Sequence, residues 1–537
     1  MMKKSELNKM QIKNQKYLRS GTPLLPFAFC FLIFALPLGA SAASEASKLY
    51  TDHCFSCHGE NRLGGTGPAL LPENLERLRK PDALKVIGEG RMATQMAGFG
   101  DKLSKEEIQS LVDYIYTPPA KRPVWGEAEI RASRIEHYAQ DKLPNQPVFS
   151  ADLQNLFIVV ETGDHHVSLL DGEKLEPIHR FASRYALHGG PKYSPDGRYV
   201  YFASRDGWIS KFDIYNLKTV AEVRAGINTR NLAVSSDGRF VMVGNYLPHT
   251  LVALDARDLS PIRVIPVDDG KGKSSRVSAV YDAAPRQSFI VALKDLKEVW
   301  EMSYDDTAPP VYQGLVHDHA LQEGMIVPGP FAPKRTKLED YLDDFFFDQS
   351  YEHLIGASRE GNQGQVVNLD ARRKVATVEI PGMPHLGSGI TWEYEGRTVL
   401  ATPNLKQGLV TIIDMSNWKT LKQISTNGSG FFMRSHENTP YAWVDAFNSP
   451  KRECLQVIDK QKLEVVNEVC PKAGKTSAHV EFTRDGKYAL VSLWDMDGAI
   501  VVYDSTTLKE VKRIPMKRPV GKYNVYNKTT RSSGTSH

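Results

Sequence analysis

The chain has 537 residues, 41% of them hydrophobic and 24% charged, with 67 basic against 63 acidic side chains and a net charge of +4. At ~100–200 residues per domain that length allows two to four domains, or one small and one very large. The composition excludes a disordered chain, a collagen-like fibre and a multi-span membrane protein, and the balanced charge leaves no electrostatic footprint for nucleic acid.

Basic residues at Lys3, Lys4, Lys9, Lys13, Lys16 and Arg19 precede an apolar run over 23–38, and Gly39-Ala40-Ser41-Ala42-Ala43 follows. This is the order of a secretory signal peptide. It predicts cleavage after Ala42 and an exported protein, with an uncleaved membrane anchor as the alternative. Of the five cysteines, Cys30 leaves with the signal.

Residues 43–119 are helical in texture. A helical start at 44–53 and runs at 81–89 and 104–116 carry apolar residues at three- and four-residue spacing. Ser104 followed by Glu107 is the sequence of a capping box. Cys54-Phe55-Ser56-Cys57-His58 is the C-x-x-C-H pattern of covalent c-type haem attachment. The two thiols add to the haem vinyls and His58 ligates the iron from the same turn. A redox or zinc C-x-x-C is the competing reading, disfavoured by the adjacent histidine and the missing second cysteine pair. Met96 is expected as sixth ligand, with Met92 as its rival. Short helices around this motif resemble a class I cytochrome c domain. The proline-rich stretch 117–123 is a stiff linker, opening a connecting segment over 120–147.

From residue 148 the chain changes to short β-rich runs. Asp196-Gly197, Asp237-Gly238 and Asp485-Gly486 each mark a tight turn between strands, and a later strand of each unit ends in Asp213, Asp255 or Asp504. The first two turns are 41 residues apart and the third lies 248 further on. Periods of about 40 residues with several strands each indicate a β-propeller, and inclusive counting gives eight blades. Residues 331–347 break the period and are expected to insert into one blade. Cys454 and Cys470 flank two short strands at 455–459 and 465–469. A symmetric hairpin would set their sulfurs opposite each other in an exported, disulfide-permissive compartment; two separate buried thiols are the alternative.

His188, His385 and His479 each precede or open an expected innermost strand, where propellers carry ligands at the channel mouth. Singly, each reads more naturally as a hydrogen-bonded structural histidine; three at similar blade positions favour a shared site. A c-type cytochrome domain joined through a proline-rich linker to an eight-bladed propeller resembles the cytochrome cd1 family over essentially the whole mature chain. The resemblance implies that His188, in Ala186-Leu187-His188, binds the iron of a d1-type haem, and that Arg230 and Arg276 hold carboxylates of the macrocycle, work to which the planar guanidinium fork is suited. Gly521-Lys522-Tyr523-Asn524-Val525-Tyr526-Asn527 resembles the closing segment of the family.

The nitrite reductases of that family carry two distal histidines. Met383-Pro384-His385 matches one, but Asp343 stands where the second is expected. With Leu70-Leu71-Pro72-Glu73-Asn74-Leu75, this departure resembles the branch of the family that oxidises dihydro-haem d1. The implied reaction converts a propionate of dihydro-haem d1 to an acrylate, with electrons passing to haem c and on to a periplasmic acceptor. His385, His479 and Tyr523 are the catalytic candidates, either histidine being a possible distal iron ligand or the base. A nitrite reductase to which haem d1 is handed is an expected partner. The alternatives are a nitrite reductase, disfavoured by Asp343, and a haem d1 carrier, which would need no electron outlet.

Overall fold

The computed structural model describes residues 38–530 apart from 66, 77, 91–95, 122, 188–189, 314–324, 328 and 358–362. Most of the expected signal segment, Met92 and His188 therefore lie outside the described residues. No helix among the described residues is long and apolar enough to cross a membrane.

The N-terminal unit packs Leu38–His53 against Lys105–Tyr116, with Phe55–His58, Pro72–Leu75 and Lys80–Glu89 around them. Lys105–Tyr116 forms where the apolar spacing predicts it, burying Ile108, Leu111, Val112 and Ile115 on one face. Its start is fixed by the expected capping box: the Glu107 backbone N–H donates to Ser104 Oγ at 3.2 Å and the Ser104 N–H to Glu107 Oε2 at 2.7 Å.

Eight four-stranded antiparallel units follow, one carrying an extra edge strand. They are numbered here as blades in chain order. Blade 1 is closed by the end of the chain: Pro519–Asn524 pairs with Leu156–Glu161, followed outward by His166–Asp171 and Glu176–Ala182. The first strand of each later blade is innermost, and neighbouring innermost strands touch around the ring. Leu156–Glu161 is buried at all six positions because a neighbouring blade covers each face, whereas the outermost strand Arg373–Glu379 is mostly exposed. The three Asp-Gly turns join the first and second strands of blades 2, 3 and 8. Gly197, Gly238 and Gly486 there have φ of 71–74°, the left-handed region glycine adopts at least cost. Asp213, Asp255 and Asp504 each accept a backbone N–H two residues on, which starts the next turn.

Two expectations are corrected. Residues 331–347 are not an insertion: Pro333–Lys337 is the outer strand of blade 4 and Asp344–Phe347 the inner strand of blade 5. The extra chain lies upstream, between Glu298–Ser303 and Pro333–Lys337, and includes the paired strands Tyr312–Gln313 and Met325–Ile326. The connecting segment is also more than a linker. Glu127–Ser133 is a helix whose Ile130 is fully buried in the core between blades 2 and 3, and Ile135–Glu136 adds a fifth strand to blade 2. Cys454 and Cys470 form a disulfide, S–S 2.07 Å. Their sulfurs and Glu468 make a compact donor cluster, but sulfurs bonded to each other leave no thiolate for a metal.

Candidate functional site

Cys54 and Cys57 are unpaired, the first half-buried and the second exposed. His58, on the same turn, is buried, and its Nδ1 donates to the Pro68 carbonyl at 2.8 Å. That bond leaves Nε2 as the free coordinating nitrogen. Burial lowers the imidazole pKa, which keeps the ring neutral as a ligand must be. Gly67 allows the close approach, since a Cβ there would stand 2.9 Å from His58 Cε1. Met96 packs on the domain core formed by Tyr50, Ile87 and Leu111. Two unbonded thiols, an oriented imidazole and a nearby thioether fit a covalent haem c.

The cytochrome-like unit rests on the propeller face where outer strands return to the next inner strand. Leu63, Ala69 and Leu71 pack on Ile227 and Leu247. Arg224 donates to the Leu63 carbonyl and its guanidinium lies 4.7 Å from the Trp125 ring centre. Arg276 is part of this contact. Its Nε and Nη2 bind both oxygens of Asp295 at 2.9 and 2.7 Å, and its Nη1 meets Glu76 at 2.6 Å. The guanidinium is engaged by protein carboxylates across the domain boundary, so its expected role as a macrocycle clamp has no support in this geometry.

The other candidates converge on the same channel mouth. His385 sits just before the inner strand of blade 6, its Nδ1 donating to the Phe431 carbonyl at 2.6 Å. Its ring centre is 4.3 Å from Phe431 and 6.1 Å from Phe432. Phe432 lies 4.8 Å from His479, and His479 meets Tyr523 edge-on at 5.1 Å. His479 is buried, with φ of 55° and a register shift between Ala478 and Val480. A non-glycine residue in that region stores on the order of 1–3 kcal/mol. Here the bulge turns the imidazole out of the sheet pattern, and the buried Lys522 amine donates to the His479 carbonyl. Burial lowers the pKa of both imidazoles, that of His479 further because Lys522 and Arg434 add positive charge. Both rings are therefore neutral and able to accept a proton. Burial pushes the Tyr523 phenol up to about 12.

Arg230 is half-buried on the inner strand of blade 3. Its Nε donates to the Ser278 carbonyl at 3.0 Å, and its charge acts on His385 and Tyr281. Of the two aspartates in the Asp-Asp-Phe-Phe-Phe run, Asp343 pairs with Lys294 at 3.0 Å. Asp344 is the one beside His385, accepting from the Tyr281 hydroxyl at 2.8 Å and the Gly387 backbone N–H at 2.9 Å. Arg434 was not among the sequence candidates. It lies on the inner strand of blade 7, 3% exposed, and its Nε has no partner among the described residues. The same holds for His479 Nδ1. A lone cation inside Phe431-Phe432-Met433-Arg434-Ser435-His436 was the available signal. Orphaned buried polar atoms of this kind are costly unless a ligand satisfies them, and the Arg434 donor fits an anionic macrocycle seated in the mouth.

The cytochrome D1 heme domain family matches residues 151–329 and 326–528, and the family described as cytochrome C oxidase, cbb3-type, subunit III matches 41–115. The chain belongs to the cytochrome D1 heme domain family. It is 54% identical over 514 residues to dihydro-heme d1 dehydrogenase of Pseudomonas aeruginosa, covering 96% of this chain and all of that protein. It is 26% identical to nitrite reductase of Stutzerimonas stutzeri, covering 92% and 94% of the two. A solved structure of dihydro-heme d1 dehydrogenase NirN in complex with DHE superposes with a TM-score of 0.84 at 55% identity, covering 90% of this chain and all of that one. This chain thus carries a cytochrome c domain ahead of an eight-bladed propeller, and its dehydrogenase relative of known structure covers both.

Proposed function

We propose that this protein is a dihydro-haem d1 dehydrogenase, oxidising a propionate of its substrate to an acrylate. The observation that carries this reading is the 54% identity running through 96% of the chain, cytochrome unit and propeller together. Two electrons and two protons must leave the substrate. Cys54, Cys57, His58 and Met96 would hold haem c, which would supply a one-electron acceptor.

The chain's own residues supply binding and proton handling. Arg434 and Arg230 offer guanidinium donors to substrate carboxylates, and His188 is the proposed iron ligand. His385 presents Nε2, because Nδ1 is committed to Phe431. His479 presents a neutral ring beside Tyr523. A base must come within hydrogen-bond reach of the propionate hydrogens, and these two imidazoles are the neutral groups at the mouth suited to it. Nitrite reduction is disfavoured because Asp343, in place of a second histidine, is tied to Lys294.

The N-terminal pattern supports export to the periplasm with cleavage after Ala42. The exposed edge around Phe55 and Cys57 offers a face for an external electron acceptor, and a nitrite reductase is the proposed recipient of the product. Anaerobic incubation of the oxidised holoprotein with dihydro-haem d1, followed by mass spectrometry, tests the reaction. A product two hydrogens lighter supports it; unchanged substrate with rapid nitrite consumption overturns it in favour of the reductase.

A further inference from the structure

The far end of the propeller channel, where the Asp-Gly turns lie, holds a cavity of about 530 Å³. Its walls include Lys192, Tyr281, Asp282, Asp348, Asn527 and Lys528, and its rim reaches the exposed Pro195 and Gln349. Tyr281 lines this cavity, and Tyr523 lies against its Lys528. Lys528 Nζ lies 5.8 Å from the Tyr523 ring centre and Lys192 Nζ 5.7 Å from that of Tyr281. Tyr523 also meets His479 at 5.1 Å, while the Tyr281 hydroxyl reaches Asp344 beside His385. Tyr523 thus neighbours both His479 and Lys528, and Tyr281 both Asp344 and Lys192.

The cytochrome unit packs on the opposite face, through Leu63, Ala69 and Leu71 on Ile227 and Leu247, which leaves this end of the channel, with its exposed Pro195 and Gln349, facing water. We propose that this cavity is the proton exit of the site and that Lys528 is its relay, taking the proton that leaves His479 past Tyr523. The proposal rests on the dehydrogenase reading. Each turnover removes two hydrogens from the substrate as two electrons and two protons. Haem c, where bound, would supply the one-electron outlet for these electrons, with an external one-electron acceptor beyond it. The protons go to a mouth imidazole, then to the Lys528 amine, and from the ammonium to water in the cavity.

The surroundings suit an amine that cycles. Lys528 faces Arg434 and Lys192, which oppose its charge, Glu481, which favours it, and the Tyr523 ring; Asp282 and Asp348 share its cavity. Burial first, and Arg434 next, hold its pKa well below the ordinary lysine value. An arginine in its place would stay protonated and could not accept.

The test is single-turnover acrylate formation by the holoprotein under anaerobic conditions, comparing the parent with Lys528→Ala, Lys528→Gln and Lys528→Arg. Dihydro-haem d1 affinity is measured alongside to confirm an intact site. All three variants are expected to slow the reaction at least ~10-fold with affinity retained. Added methylamine should restore Lys528→Ala in a concentration-dependent way, and the parent should show a solvent deuterium effect that Lys528→Ala enlarges. Parent-like turnover in Lys528→Arg, or slow turnover in Lys528→Ala that methylamine leaves unchanged, overturns the relay. If Lys528→Ala does not fold, the Gln and Arg variants decide between the same outcomes. A parent that never forms acrylate defeats the dehydrogenase reading itself, whereas a parent that turns over beside equally fast variants defeats only the relay.

Discussion

His479 and Tyr523 meet edge-on with ring centres 5.1 Å apart, one on the inner strand of blade 8 and the other on the strand that closes the ring. The contact thereby joins blades 8 and 1 at the channel mouth. Lys522, next to Tyr523, donates to the His479 carbonyl, so the closing strand also holds the strained backbone that aims the imidazole. His479→Ala should slow acrylate formation by about 10²-fold or more if this ring is the base. Reduction of haem c by small reagents should be unchanged. Tyr523→Phe keeps the ring contact and removes the hydroxyl, so a rate matching the parent would assign Tyr523 to packing alone.

Arg434 gives a prediction of opposite sign on stability and binding. A buried guanidinium with an orphaned Nε destabilises the protein without its ligand. Arg434→Met should therefore raise the melting temperature of the substrate-free protein while weakening binding of dihydro-haem d1 at least ~10-fold, the loss of roughly one charge-assisted hydrogen-bond pair. Calorimetry and a binding titration check both signs. His188→Ala should weaken binding too and leave haem c intact.

The haem c cradle is tested chemically. A covalently attached haem stays with the protein through acid–acetone extraction, and Cys54→Ser with Cys57→Ser should release it. Met96→Ala should change the spectral signature of the sixth ligand, and an unchanged spectrum would move that role elsewhere.

What the sequence made legible follows the range of the interactions. The capping box at Ser104 and Glu107, the C-x-x-C-H turn and the three Asp-Gly turns are local, and each appears where its spacing predicts. The blade period was readable, but the strand at Pro333–Lys337 was not. As an outer strand it carries Lys334, Arg335 and Lys337 toward solvent and its neighbour blade, and so lacks a simple apolar signal. Asp343 and Asp344 are adjacent in sequence, yet successive side chains diverge as a strand begins, one to Lys294 and the other to Tyr281. Only the register separates them. The pairing of Arg276 with Glu76, 200 residues away, is set by how the domains dock and leaves no local signal.

The last prediction concerns Asp445, fully buried beneath the mouth. Its Oδ1 accepts the Phe431 N–H at 2.7 Å and its Oδ2 the Phe432 N–H at 3.1 Å, which fixes the two rings flanking His385 and His479. Those bonds favour the carboxylate, but burial outweighs them and raises its pKa to about 7. The folded protein therefore holds this proton more tightly than the unfolded chain, whose aspartates titrate near ~4. Between pH 4 and 7 the unfolded state binds fewer protons, so this group's contribution to stability, on the order of 2–4 kcal/mol, is present at low pH and lost as pH rises through 7. Asp445→Asn keeps an acceptor and cannot titrate. The melting-temperature advantage of the parent over Asp445→Asn should be largest near pH 5 and shrink by pH 8. A constant difference across that range would show that Asp445 is ionised in the fold throughout, and that its backbone bonds outweigh its burial.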